Sequence, residues 1–246
     1  MRWLLRIVLF LGGAVLLVLL GVFCWLYFYS RDLPDISSLA RYAPVTATKV
    51  TDPCLSPSIA LPSVAIPYDA IGENVRHAIS AVEVREDDPG VLGAELWKAG
   101  QLHRWTLSQA VSTLACYAPS RTLKRRLAEI RTAIQLERHY SRRQLFTIYS
   151  NRLYFGFGQT GIYAGAEFYF HKEPNTVNLP EAALLAGLLR SPTRYSPFMH
   201  PERTLRRRNE VIDAMLENGT IKLAEAQSAK AAPLAVVTSA ATTAAQ

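Results

Sequence analysis

Three regimes of apolar and polar positions divide the chain. The first is an uncharged run, Ile7 to Tyr29, of 23 residues dense in Leu, Val and Phe. Wound as a helix at about 1.5 Å per residue, it reaches roughly 30 Å, the depth of a bilayer's hydrocarbon. It ends in Trp25, Tyr27, Phe28 and Tyr29, residues suited to a membrane–water interface. Arg2 and Arg6 precede it, which favours a cytoplasmic N-terminus, while Arg31 and Asp32 beyond it offset one another. A cleaved signal peptide has a shorter apolar region and a small-x-small site. A run ending in aromatics instead predicts an uncleaved single-pass anchor in the cytoplasmic (inner) membrane, with the remainder of the chain in the periplasm or outside. The apolar stretch LPEAALLAGLL at 179–189 is too short to span and predicts a buried helix.

The second regime, 30–67, has no sustained periodicity and six prolines at 34, 44, 53, 57, 62 and 67. Proline fixes its own φ and restricts the residue before it, so an extended connector is predicted, with a short strand at Ala47–Val50. From Asp69 the pattern turns helical. Helices are predicted over 70–86, 92–99, 106–117, 120–139, 141–154, 161–170, 178–189, 201–217 and 220–230. Pro119 or Ser120 opens the long basic helix, Ser141 caps the next, and Pro180-Glu181 suits a first turn. Asn218-Gly219 ends a helix and Thr220 caps another. From Ala231 the chain is low in complexity and reads as a disordered tail. Strand-like alternation is scarce, so a mainly α fold is predicted. The chain divides into a cytoplasmic tip and anchor (1–29), a connector (30–67), one domain (68–230) and a tail (231–246).

Charge and rare residues narrow the classes. The 246 residues carry a formal charge of +7 and can bury one good-sized core or two lobes. A basic surface suits nucleic acid, but an outward-facing anchored domain without base-stacking motifs does not, so no nucleic-acid partner is expected. Cys24 lies in the anchor; Cys54 and Cys116 lie outside it, and their separation in space is open. The five histidines, at 77, 103, 139, 171 and 200, show no metal-ligand spacing. No Rossmann glycine motif, P-loop or G-x-S-x-G elbow occurs.

Four stretches could carry chemistry. In AISAVEVREDDPG (78–90), Glu83 is the single acid on an apolar stretch, followed by Glu86, Asp87 and Asp88; it is either a placed carboxylate or the first charge of a solvated helix end. In the helix from Thr122, Leu123, Leu127, Ile130 and Ile134 form an apolar stripe, with Arg125 and Arg126 one turn before Glu129. That trio is either a surface salt-bridge ladder or an anion site in which arginines meet phosphate oxygens and Glu129 orients them or a metal. Thr106, Ser108 and Gln109 are donors for a phosphate or sugar, or ordinary N-capping residues. The small residues Gly161, Ala164, Gly165 and Ala166, and the turn Arg190 to Pro197, read as a packing module.

Taken in order, these stretches resemble the peptidoglycan glycosyltransferase domain (glycosyltransferase family 51) of class A penicillin-binding proteins. The short length, single anchor and lack of a Ser-x-x-Lys motif look most like its monofunctional members. The similarity covers roughly 34–217 and is strongest from Arg125 to Arg208. The family's Arg-Lys-x-x-Glu matches Arg125-Arg126-x-x-Glu129, with a second acid at Glu137. Its Ser-Lys-x-x-Ile-Leu-Glu-x-Tyr-Leu-Asn matches Ser141-Arg142 through Tyr149-Ser150-Asn151, with Thr147 where Glu is common. Gly161-Ile162 to Lys172, Glu181 to Gly187, and Pro192, Tyr195 and Pro197 follow in family order. The front half departs: Glu83 takes the place of the first motif's Glu, but Val84 replaces its Asp and the Phe and His have no counterpart. The second motif keeps Thr106 and Gln109 but loses both glycines, the Ser and the second Gln.

The resemblance implies a lysozyme-like, two-lobed helical domain behind the single transmembrane helix. It implies polymerisation of lipid II into glycan strands with inversion and release of undecaprenyl pyrophosphate. Glu83 and Glu129 are then the catalytic acids; Thr106, Ser108, Gln109, Arg125, Arg126, Glu137, Arg142 and Asn151 are substrate-binding residues. A divalent cation, Mg or Mn, is the one cofactor it allows, with no residue assigned as metal ligand. Lipid II, the glycan strand, the membrane and a transpeptidase or divisome or elongasome protein are the implied partners. The departures keep open a catalytically degenerate relative that binds lipid II or serves as a scaffold. A glycan hydrolase is disfavoured, since arginine beside Glu129 suits a pyrophosphate better than a neutral sugar.

Overall fold

The computed structural model describes residues 2–29, 36–50, 63–85, 105–106, 110–111 and 122–237. The N-terminal run forms one helix, α1 (Arg2–Tyr29), with Trp3, Phe10, Leu16, Leu20, Phe23 and Trp25 exposed. Among the described residues no helix is long and apolar enough to cross a membrane.

The core is built on three helices that pack on one another. In α2 (Glu73–Val82) the residues Val75, Ala78, Ile79 and Ala81 are buried, a stripe at helical spacing. The buried stretch 179–189 is helix α6 (Leu179–Leu188), in which every residue from Glu181 to Leu188 is buried. Between them α3 (Leu123–His139), α4 (Arg142–Arg152) and α5 (Ile162–Phe170) occupy the middle of the chain. In α7 (Pro201–Glu217) Thr204, Arg208, Val211, Ile212 and Met215 turn inward, and α8 (Leu223–Ala231) covers α7. Arg208, almost wholly buried, donates to the carbonyls of Lys230 (2.9 Å) and Ala232 (2.7 Å). It thereby satisfies acceptors that the end of α8 leaves open.

Local chemistry sets the helix ends. Ser141 and Gln144 form a reciprocal capping box on α4, and Asn178 and Glu181 form another on α6 with proline in its first turn. Lys172 Nζ lies 2.8 and 2.9 Å from the two Glu181 oxygens, joining α5's exit to α6. The N-cap of α3 is Thr122, rather than Ser120 or Pro119, and its hydroxyl accepts from Arg125 N–H at 3.3 Å. Thr220 closes α7 instead of opening α8: its hydroxyl donates to Met215 O at 2.8 Å.

Three expectations change, and the expected strand gains a partner. The segment 30–67 is not only a connector: Leu39 and Tyr42, in a 3-10 turn at Ser37–Tyr42, enter the core. The expected strand is β1 (Thr48–Val50), and it pairs antiparallel with β2 (Ser63–Ala65). The stripe of α3 turns toward Ala128, Thr132 and Leu136, which are buried, while Ile130 and Ile134 are half-buried. The start of the tail is ordered, with Val237 N–H donating to Tyr169 O at 2.9 Å. The mainly α expectation holds; residues 86–104, 107–109 and 112–121, on which the expected two-lobed division depends, lie outside the described residues. Cys54 and Cys116 also lie outside them.

Gly72 opens α2 at φ +80°, and a Cβ there would stand 2.6 Å from Pro174 O and 2.7 Å from Asn175 Cα. Both obstacles are backbone. Gly72→Ala is therefore expected to destabilise the fold by ~3 kcal/mol or more, read by thermal unfolding in detergent.

Candidate active site

Glu83 occupies the end of α2. Its N–H still donates to Ile79 O at 2.9 Å, but its own backbone leaves the helix. The predicted helix to residue 86 stops here because Val84–Arg85 forms strand β3, paired in parallel with β4 (Trp105–Thr106). β-Branched Val82 and Val84 suit that switch from helix to strand. The ladder brings the Thr106 backbone beside Arg85, so the stretches that hold Glu83 and Thr106 meet across two short strands.

The Glu83 carboxylate is half-buried, and Tyr149 of α4 donates its hydroxyl to Glu83 Oε2 over a long 3.4 Å. Burial raises the Glu83 carboxyl above its ordinary value; the charge of Arg207, the Tyr149 hydrogen bond and the charge of Arg190 act against it, in that order. The carbonyl end of α2 also disfavours a negative charge at its tip. Tyr149 is itself pushed up, first by burial and then by the Glu83 charge, so it remains a protonated donor. This is a half-buried carboxyl with a hydroxyl donor on it and two arginine charges acting on it.

The second cluster lies on α3. Arg125 Nε is 2.5 Å from Glu129 Oε1 one turn on, with side chains 18% and 20% exposed. At that burial the pair is more than a solvated ladder, and Glu129 holds the Arg125 guanidinium in one orientation. Arg126 is exposed on the same helix, and Glu137 and Arg142 are exposed at the α3–α4 junction. Thr106 is described in its backbone alone, and Ser108 and Gln109 lie outside the described residues. Among the described residues no group of three His, Cys, Asp or Glu could hold a metal ion, and the Glu129 oxygen that could join one already accepts from Arg125.

Asn151 is placed elsewhere. It is fully buried; its Nδ2 donates to Tyr42 O and Ile66 O, both at 2.8 Å, and its Oδ1 accepts from Ile66 N–H at 3.1 Å. Every polar atom of the amide holds backbone, which removes it from the substrate-binding set. Conversely, Tyr149, Arg190 and Arg207 act on Glu83 although the sequence did not single them out as site residues. Arg207, which reads as a surface arginine, has a side chain only 12% exposed. Helical spacing carried the signal: Arg207 stands three residues after Thr204 and four before Val211, both buried.

Residues 62–216 match the family model described as Transgly, Transglycosylase. Penicillin-binding protein 1A of Aquifex aeolicus (strain VF5) is 32% identical over 245 residues, covering 94% of this chain and 34% of that protein. Penicillin-binding protein 1A of Rickettsia felis is 30% identical over 240 residues, covering 90% and 30%. Penicillin-binding protein 1F of Bacillus subtilis (strain 168) is 36% identical over 125 residues, covering 51% and 18%. The chain spans about a third, or less, of the length of these relatives. The matched region encloses Glu83, Tyr149 and the Arg125–Glu129 pair, and by that match and those identities the chain belongs to the transglycosylase family found as a domain of class A penicillin-binding proteins.

Proposed function

We propose that the protein is a peptidoglycan glycosyltransferase that polymerises lipid II. Glu83 Oε takes the proton from the 4-hydroxyl of an acceptor GlcNAc as that oxygen bonds to C1 of a donor MurNAc. The bond from C1 to the pyrophosphate oxygen breaks on the opposite face, so the centre inverts and undecaprenyl pyrophosphate leaves. Glu83 then returns its proton to solvent. Arg125, oriented by Glu129, and Arg126 offset the charge that develops on the leaving pyrophosphate. Thr106, Ser108, Gln109, Glu137 and Arg142 are assigned to phosphate and sugar.

The observation that carries this reading is the environment of Glu83, a carboxyl raised by burial that accepts from the Tyr149 hydroxyl, with the charges of Arg207 and Arg190 acting against the rise. In the same proposal α1 anchors the chain in the cytoplasmic membrane with Arg2 and Arg6 inside and the domain outside. Substrate and enzyme then share one membrane plane, which raises the effective substrate concentration. A growing glycan strand and a transpeptidase are the partners this chemistry calls for.

One observation favours a second reading. Val84 stands where the family motif has Asp, which suits a degenerate relative that binds lipid II without polymerising it. Incubation of the purified chain with labelled lipid II separates the two. Wild type is expected to form strands, and Arg125→Ala to lower the rate by ~10-fold or more through lost phosphate contact. A wild type that binds lipid II and forms no strand, beside a working control enzyme, establishes the degenerate reading.

A further inference from the structure

The C-terminal end of α1 is held by α3. Tyr27 lies in the last turn of α1, where backbone carbonyls turn to partners outside the helix. Arg131, half-buried on α3, supplies one: its Nη1 donates to Tyr27 O at 3.2 Å. The same guanidinium lies over the Tyr27 ring, with Cζ 4.8 Å from the ring centre. A planar cation suits both contacts at once, through its donors and through its face. It also sets positive charge at the carbonyl end of α1, the sign that end favours. A second fastening follows. Tyr140, the C-cap of α3, donates its hydroxyl to Ile36 O at 2.9 Å. Tyr140 stands nine residues after Arg131, and Ile36 nine after Tyr27. The chain leaving α1 therefore accompanies α3 from Arg131 towards Tyr140. The charged half of α3 lies on the other side of Arg131, with Glu129 two residues back and Arg125 six, about 3 and 9 Å along the axis.

We propose that Arg131 docks the end of α1 on α3 and is thereby the positioning residue that sets the height of the Arg125–Glu129 pair over the membrane. This rests on the reading of α1 as the anchor and of that pair as the pyrophosphate clamp, and it deepens both. A lipid-linked pyrophosphate is confined to the headgroup layer, so its clamp must be held at that depth. Trp25, Tyr27 and Phe28 are exposed at the end of α1 and suit the same layer. Fastened to Tyr27, α3 carries its first turns at a fixed level beside it. Without the fastening, α1 ties the domain to the membrane but does not fix how deep α3 lies.

The test follows the docking and its consequence separately. The full chain, with p-benzoylphenylalanine in place of Phe28, whose ring packs edge-on against Tyr27 at 5.7 Å, is placed in vesicles of phosphatidylethanolamine and phosphatidylglycerol. Irradiation of otherwise wild-type protein is expected to join residue 28 to α3, read by mass spectrometry of the digest. Arg131→Met should cut that adduct by ~5-fold or more. Arg131→Lys, which keeps a charged donor, should retain most of it, and Tyr27→Phe, which keeps ring and carbonyl, should retain all of it. Affinity for lipid II is then measured without the photolabel. In the vesicles Arg131→Met should bind ~5-fold more weakly or worse, because the clamp is displaced from the phosphates. In detergent, with a short-chain lipid II whose height is not fixed, the same variant should bind as wild type does. A merely structural arginine would weaken both alike, and that outcome overturns the positioning, as does unchanged affinity in the vesicles. An adduct that is absent from wild type, or that survives in Arg131→Met, overturns the docking; if that variant does not fold, survival in Arg131→Gln does so. Wild type that binds no lipid II while Arg131→Met still loses the adduct sinks the transglycosylase reading and the clamp with it, and the docking stands.

Discussion

Glu83→Gln is expected to lower lipid II polymerisation by ~10²–10⁴-fold, the contribution of a placed general base, and to raise the melting temperature at neutral pH. The two effects have one cause. Burial lifts the Glu83 carboxyl above its ordinary 4.5, so between that value and the lifted one the folded state binds a proton that the unfolded state has released. Stability is then fully present below about 4.5, falls as pH rises through the lifted value, and stays lower above it. Gln is neutral throughout and escapes the loss. The gain should amount to a few degrees near pH 7, and it should vanish when melting is repeated below pH ~4. The rate of the wild type should follow the opposite limb, falling as pH drops through the lifted value, because the base must be ionised. A Glu83→Gln variant that is both inactive and less stable at pH 7 would mark Glu83 as structural.

That pairing of lost activity with gained stability also explains which parts of the site were legible in the sequence. Helices α4 to α7 could be read from it because their signals are local. Ser141 with Gln144 and Asn178 with Glu181 are capping boxes four residues long, and α6 is apolar except for Glu181. Glu83 was legible as a residue but its backbone was not. A helix through residue 86 fits the periodicity, and only pairing with Trp105–Thr106, about twenty residues away in sequence, ends it at Val82. Such pairing leaves no trace in a short window. The same holds for Tyr42 and Ile66, whose proline-studded segment looks like a linker until Asn151 is seen to hold both. Arg207 was missed because arginine is ordinarily a surface residue; what buries it is a missing side chain on another helix, at Gly187.

Asn151→Ala carries the largest stability loss expected. The amide joins α4 to two segments more than eighty residues earlier, bridging the carbonyls of Tyr42 and Ile66 and the N–H of Ile66. Alanine leaves all three backbone groups buried without that partner and opens a small cavity. At ~1–3 kcal/mol for each unsatisfied group, partly relieved by relaxation, a total loss of about 3–5 kcal/mol is reasonable. For a domain of this size that lowers the melting temperature by roughly 6–20 °C. Asn151→Asp should be as damaging despite its matching shape, since a carboxylate accepts from Ile66 N–H but turns an oxygen toward the Tyr42 and Ile66 carbonyls. The protein that remains folded should still bind lipid II with wild-type affinity, measured by titration at a temperature below the variant's transition. A variant that melts like wild type and binds lipid II weakly would return Asn151 to the binding site. The contrast with Glu83 is physical: Glu83 is raised by burial and accepts one long hydrogen bond from Tyr149, whereas every polar atom of the Asn151 amide is matched, and that completeness makes it a support.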